Sequence, residues 1–322
     1  MRVIEFKSKK GGVGKSAAAR EIATMMASAG ANVVLIDASE QANDDSLENQ
    51  DRPFTATLKE CVIDGIPLRD AARQVRKGLW LIAGTRDHED VNDHIRKERY
   101  PNIFHDMIEE LRVSQTPAPS FDQRFGWWQQ ERLSFSVFAL EPTTDEEFTL
   151  PPAQIDYVLI DTDASTQDDL TFVIWDAIDG ILIPFELTEL DWQSYHQLRQ
   201  DLAKRYRRRP DQQPPILGII PNKVLHTRDN PTPMTYLKTI FRDVEEQVFR
   251  PVHWSKIFGE CLNLRLASLE HPLASTDRSI RELAAITLEL MGYTGDLSGL
   301  RICDKCAEQV ALAVQEQQER AS

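Results

Sequence analysis

The stretch Lys10-Gly11-Gly12-Val13-Gly14-Lys15-Ser16 constrains the fold of this 322-residue chain more than any other feature. Its three glycines let consecutive backbone N–H groups turn toward one point, and a helix starting beside them adds its positive dipole end. Such a loop cradles phosphate when a strand precedes it and a helix follows. Both flanks fit, since Val3-Ile4-Glu5-Phe6 reads as a buried strand. On the other side Ile22, Met25, Met26 and Ala29 recur at helical spacing and stop at Gly30. Lys15 is expected to reach the β- and γ-phosphates of a nucleotide. Ser16 is expected to offer its hydroxyl to Mg2+, and Gly11, Gly12, Val13, Gly14 and Ala17 to complete the cradle.

Further apolar runs read as strands: Val33-Val34-Leu35-Ile36, Leu79-Trp80-Leu81-Ile82, Val158-Leu159-Ile160, Ile181-Leu182-Ile183-Pro184 and Ile216-Leu217-Gly218-Ile219-Ile220. Helix-length stretches separate them. The alternation predicts an α/β fold with a doubly wound, mostly parallel sheet and helices on both faces, ligands lying at the carboxyl ends of the strands. Asp161 ends the run Tyr157-Val158-Leu159-Ile160, where an acid can hold the Mg2+ shell. A strand-end aspartate that caps the next turn is the other reading of that residue.

At these residues the chain resembles the ParA/MinD family of P-loop ATPases, whose deviant Walker A loop carries an early lysine, here Lys10. The resemblance runs over residues 1–291 apart from one insertion. It implies ATP and Mg2+ as cofactors and an ATP-bound homodimer in which Lys10 crosses to the partner's nucleotide and serves catalysis with Lys15. Read from the residues alone, a solvated cation beside Lys7 and Lys9 is the lesser alternative for Lys10. Val34-Leu35-Ile36-Asp37-Ala38-Ser39-Glu40-Gln41 looks like the family's second motif, and Asp37 is expected to assist the Mg2+ shell. Ser39, however, stands where relatives carry a water-positioning aspartate. A hydroxyl is a poor base at neutral pH, so slow hydrolysis is expected. Glu40 and Asp163 are the substitutes at hand, although Asp163 also reads as an exposed turn acid. Ile219-Ile220-Pro221-Asn222-Lys223 resembles the strand end where relatives meet adenine, which makes Asn222 either a base-selecting amide or a turn residue.

Two regions break the alternation. Residues at about 114–153 hold five prolines, two tryptophans and an acidic run, and read as an insertion containing a strand at 133–138. The tail 292–322 carries an expected helix over 307–320 and the pair Cys303 and Cys306, which lacks the second ligand pair of a zinc site. A helix over 190–209 ends in Lys204, Arg205, Arg207, Arg208 and Arg209. Those cations are either a patch for nonspecific DNA, as in ParA-like dimers, or solvated charges at a helix C-terminus. With a net charge of −14 any DNA contact has to be local. Residues 1–7 lead straight into the loop, and no apolar run approaches the roughly 20 residues of a membrane span, so a cytoplasmic, prokaryotic and nucleoid-associated protein is expected. The resemblance further implies a ParB-like or cargo-adaptor partner. A binding switch with negligible hydrolysis and a MinD-like membrane-cycling ATPase are the alternatives.

Overall fold

The structure, a computed structural model, describes residues 1–40, 54–112, 151, 154–165, 168–225, 241–264, 266–271, 273–294, 297 and 300. Outside them lie Gln41, the expected strand at 133–138 with nearly all of the insertion, the expected tail helix over 307–320, and Cys303 and Cys306.

Seven strands form one sheet: β1 (Arg2–Phe6), β2 (Val33–Ala38), β3 (Arg73–Arg76), β4 (Leu79–Ile82), β5 (Tyr157–Thr162), β6 (Gly180–Phe185) and β7 (Ile216–Pro221). Their order is β3-β4-β2-β5-β1-β6-β7, and every pairing is parallel except β3 with β4. Each expected apolar run is a strand. β2, β4 and β6 are buried along their whole length, as a sheet covered on both faces requires. The addition is β3, Arg-Gln-Val-Arg, whose charged composition hides it from a search for apolar runs and suits an edge that has to resist pairing with other chains.

The described helices are, in chain order, α1 (Lys15–Ser28), α2 (Leu58–Ile63), α3 (Leu68–Ala71), α4 (His88–Glu98), α5 (Ile103–Leu111), α6 (Asp169–Trp175), α7 (Glu189–Arg205), α8 (Ile257–Leu264) and α9 (Arg278–Leu290). One core cluster joins α1, α8 and α9 to the sheet, a second joins α2 to α6, and a third packs α7 on β6 and β7. Helix α1 is buried from Ala18 through Ser28, well beyond the single stripe its periodicity suggested, because α9 packs against it as well as the sheet. Arg20 and Glu21 are therefore interior, 3.1 Å apart, and Glu21 also accepts the Ser268 N–H at 2.8 Å. Helix α7 stops at Arg205 rather than at 209. Pro210 disfavours helical backbone at Arg209, whose φ is −145°, and a 3-10 turn follows over Pro210–Gln212.

Strand register sets up the site. On neighbouring strands Asp37 pairs with Asp161, and Phe6 pairs with both Asp161 and Leu182. The chain thus leaves β1 for the glycine loop beside the two aspartates, at the carboxyl edge of the sheet.

Candidate nucleotide-binding site

Gly12 and Gly14 have φ of +78° and +90°, in the left-handed region that side chains other than glycine rarely adopt. Gly14 caps α1, and a Cβ there would stand 2.5 Å from Asn222 Nδ2, so a side chain would be strained by the backbone and would displace the Asn222 amide. Val13 is fully buried and pins the loop, while Gly11 and Gly12 lie exposed at its lip. The Lys15 ammonium sits 3.5 Å from the Lys10 carbonyl. Burial lowers its pKa, Lys7 adds to that, and Asp161 and Asp163 pull the other way.

Asp161 is fully buried, and neither carboxylate oxygen has a well-aligned hydrogen bond among the described residues, with the Ser16 hydroxyl and Lys15 as its neighbouring donor side chains. Desolvation pushes its pKa up to about 7; the Ser16 hydroxyl and Lys15 oppose the shift, and Asp37 and Asp163 reinforce it. A buried carboxylate in that condition beside a hydroxyl fits a hard cation with oxygen ligands. Ser16 and Asp161 are the residues that would hold Mg2+. Asp37 stands behind them, its Oδ1 accepting the Ser39 N–H at 2.9 Å and the Ser39 hydroxyl at 2.7 Å. Gly84 makes room for it, because a Cβ there would lie 2.9 Å from Asp37 Cγ.

Lys10 points back onto its own chain. Its Nζ donates to Glu186 Oε2 at 2.6 Å, to Asp191 Oδ2 at 3.0 Å and to Thr188 Oγ1 at 3.4 Å. Burial lowers its pKa, and the bonds to Glu186 and Asp191 more than reverse this, leaving it raised. Lys223 closes the network with Glu186 Oε1 at 2.8 Å and a hydrogen bond to the Gly12 carbonyl. Sequence reasoning missed Glu186 and Asp191. The signal was there: an acid directly after the apolar run of β6 lies at the ligand edge of the sheet.

Beyond Asp161, the Asp163 Oδ2 accepts the Glu40 N–H at 2.7 Å and faces His88 Nδ1 at 3.6 Å. Glu40 and Asp163, the two substitutes named for Ser39, are thus brought together, with His88 as an unforeseen third member.

Asn222 donates to the Val13 carbonyl at 2.8 Å and lines a cavity of about 180 Å³ with Ala17, Lys223, His253, Trp254 and Phe258. That volume falls below the ~300–1,000 Å³ of a whole small-molecule site and suits one flat end of a ligand. The wall exists because backbone bonds from Val252 to Pro221 and from Trp254 to Val224 lay the segment beside the end of β7. Trp254, 59% exposed, is available for stacking.

The basic cluster divides. Arg205 and Arg209 both bind Asp176, at 2.6 and 3.0 Å, and Arg205 lies over the Phe172 ring. Lys204, Arg207 and Arg208 are exposed and make no ion pair among the described residues. No helix among the described residues is long and apolar enough to cross a membrane. Cys61 and Cys261 are buried free thiols.

A search among curated protein sequences finds no match. Solved structures do match over nearly the whole fold. An aspartate-to-alanine variant of Cyanothece McdA in complex with ATP superimposes with a TM-score of 0.64 at 17% identity, covering 92% of this chain and 98% of that one. The MinC:MinD cell division complex of Aquifex aeolicus gives 0.60 at 15%, with 92% and 98% covered. A putative plasmid partition protein of Borrelia burgdorferi bound to AMPPNP gives 0.56 at 17%, with 90% and 99% covered. These likenesses show the fold, a P-loop sheet of the MinD/ParA kind. The sequence profile of the CobQ/CobB/MinD/ParA nucleotide binding domain matches residues 4–264, more than half of the chain, and the protein belongs to that family.

Proposed function

We propose that this protein is an ATP-dependent dimerisation switch of the ParA type that positions or partitions DNA or another cargo in the cytoplasm, with slow, partner-stimulated ATP hydrolysis. The observation that carries the reading is the buried carboxylate of Asp161, which has no well-aligned hydrogen bond among the described residues and feels Ser16 and Lys15 as its neighbours. It gives the loop a place for Mg2+, which when bound offsets the phosphate charge. Lys10 would leave its own acids to meet the partner's nucleotide, Asn222 and Trp254 would hold the base, and a ParB-like or cargo-adaptor protein would stimulate turnover. Family neighbours support the nucleotide and the switch by their own ligands and partners: ATP on McdA, Mg-ADP on the MinD of Pyrococcus horikoshii, MinC on the MinD of Aquifex aeolicus.

Light scattering after gel filtration tests this. Wild type is expected to dimerise with ATP and Mg2+, whereas Lys10→Ala and Lys15→Ala stay monomeric; a monomeric wild type under ATP sinks the switch. For DNA, the exposed Lys204, Arg207 and Arg208 are the expected phosphate contacts. Replacing each by alanine should lower the salt dependence of log K by about 0.9. An unchanged slope removes the patch from the DNA surface.

One observation favours a second reading, a binding switch with negligible hydrolysis. The Ser39 hydroxyl donates its proton to Asp37 Oδ1 at 2.7 Å, so this position offers an engaged hydroxyl where relatives carry a carboxylate. Less than one phosphate released per protein, with DNA and partner present, would establish it.

A further inference from the structure

Next to Ser39, past the ends of β2 and β5, stands a cluster that no single motif contains. Glu40 follows β2, Asp163 follows β5 and His88 opens α4, and the three bring ligand-type atoms within 4.8 Å of one another. In this cluster the two oxygens of Asp163 are unlike. Oδ2 is held by the Glu40 N–H and faces His88, while Oδ1 makes no hydrogen bond among the described residues. The carboxylate is about a quarter exposed, so water reaches it. His88 is buried, only 7% exposed, and its Nε2 has no partner among the described residues. His88 Nδ1 stands 3.6 Å from Asp163 Oδ2, longer than a hydrogen bond yet close enough for a small ring movement to close it. Contacts of this kind are often long before substrate binds and shorten in the reacting complex. Asp163 comes two residues after Asp161, just past the end of β5, at the carboxyl edge of the sheet where β1 runs into the glycine loop.

We propose that Asp163 is the water-orienting carboxylate of this site and that His88, with the Glu40 amide, is the positioning residue that holds it. The inference rests on the ATP-hydrolysing reading above. Oδ2 stays anchored, and Oδ1 accepts a hydrogen bond from the attacking water. The water oxygen forms a bond to the γ-phosphorus as the bond from that phosphorus to the β–γ bridging oxygen breaks. ADP leaves with the electron pair, and the water's proton passes to Oδ1 and then to the released phosphate or to solvent.

The experiment is steady-state ATP turnover of the full chain with Mg2+, alongside ATP affinity from a fluorescent nucleotide and a thermal melt of each variant. Asp163→Asn should cut kcat by about a hundredfold or more with affinity unchanged. His88→Leu should cut kcat by roughly ten- to a hundredfold at unchanged KM, because a misplaced catalytic group costs rate rather than binding. His88→Asn puts an amide N–H close to where Nδ1 was and should restore kcat to within about threefold. Turnover by Asp163→Asn equal to wild type overturns the proposal and leaves the ATPase reading standing. Equal losses in His88→Asn and His88→Leu overturn the positioning role, since packing alone would then explain them. A wild type that binds ATP and never turns it over removes both readings. A visible Co2+ band in wild type that disappears in His88→Leu would make the cluster a cation site and also overturn the proposal.

Discussion

The two ends of the phosphate loop carry opposite charges in opposite conditions. At the rim, Lys10 has three oxygen acceptors from its own chain, Glu186, Asp191 and Thr188. At the floor, Asp161 is completely buried with no well-aligned hydrogen bond to either oxygen among the described residues, and the neighbouring Ser16 and Lys15 offset only part of its desolvation. The rim is satisfied without a ligand and the floor is not. A site built this way gains its cation and nucleotide by relieving the floor, whereas any use of Lys10 outside its own chain has to begin by breaking bonds. Nucleotide binding and dimerisation are thereby separable steps, each answering to different residues.

The largest expected effect lies at the floor. Asp161→Asn keeps the shape and removes the charge, and should weaken Mg2+-dependent ATP affinity by about a hundredfold, the scale of losing one partner of a buried charge pair. The same change should help the empty protein. Asp161 titrates near 7 when folded and near 3.8 as a free side chain. Between those values the folded state binds more protons than the unfolded state, so its stability falls as pH rises from about 4 to about 7. Asparagine has no such slope. Melting without nucleotide should therefore show Asp161→Asn above wild type at pH 8, the gap closing toward pH 4. A variant that melts below wild type at pH 8 would mean that Asp161 has a native partner, and the contrast between floor and rim would fail.

The rim gives a smaller effect. If Lys10 is held back by its own acids, only the fraction of molecules with a released lysine can dimerise, and apparent affinity scales with that fraction. Glu186→Gln with Asp191→Asn should then strengthen ATP-dependent dimerisation by about tenfold while leaving monomer ATP affinity unchanged. Sedimentation with ATP and Mg2+ reads the change. Weaker dimerisation of the double variant would show that these acids act across the dimer instead.

Much of this was legible before any coordinates. Fold class followed from six apolar runs and one glycine loop, because strands buried on both faces leave an unmistakable pattern, and the same pattern put Lys15, Ser16 and Asp161 at one edge of the sheet. Asp37 and Asp161 were found separately, and their meeting needed only the parallel register of β2 and β5. What stayed hidden depends on pairing between distant segments. Trp254 sits in a stretch with no periodicity, and His88 shares a buried helical face with Val91 and Ile95 that gives no sign of a site; their roles arise where α4 and the segment beside β7 are carried to the carboxyl edge. The charged strand β3 escaped for lack of apolar residues. Five cations in the basic cluster looked equivalent in sequence, yet Asp176, lying 29 and 33 residues away in the chain, engages Arg205 and Arg209.

Lys223 provides the finest test, because its predicted effect has the opposite sign to that of the acids it touches. It shares Glu186 with Lys10, each cation taking one carboxylate oxygen at 2.8 and 2.6 Å. Removing one of two cations from a carboxylate leaves the other more strongly held, so Lys223→Met should tie Lys10 down and weaken the ATP dimer by about threefold, the worth of a partly exposed pair. Backbone strain does not confuse the comparison, since Met and Lys meet the same cost at the left-handed φ of +53° found there. Loss of the bond to the Gly12 carbonyl could loosen the loop itself, and that contribution would appear as reduced ATP affinity of the monomer. The decisive measurement is a double-mutant cycle with Glu186→Gln. When Glu186 carries no charge, Lys223→Met should no longer affect dimerisation; an equal threefold loss in both backgrounds would show that Lys223 acts on the dimer directly, and that the hold on Lys10 is not shared between the two lysines.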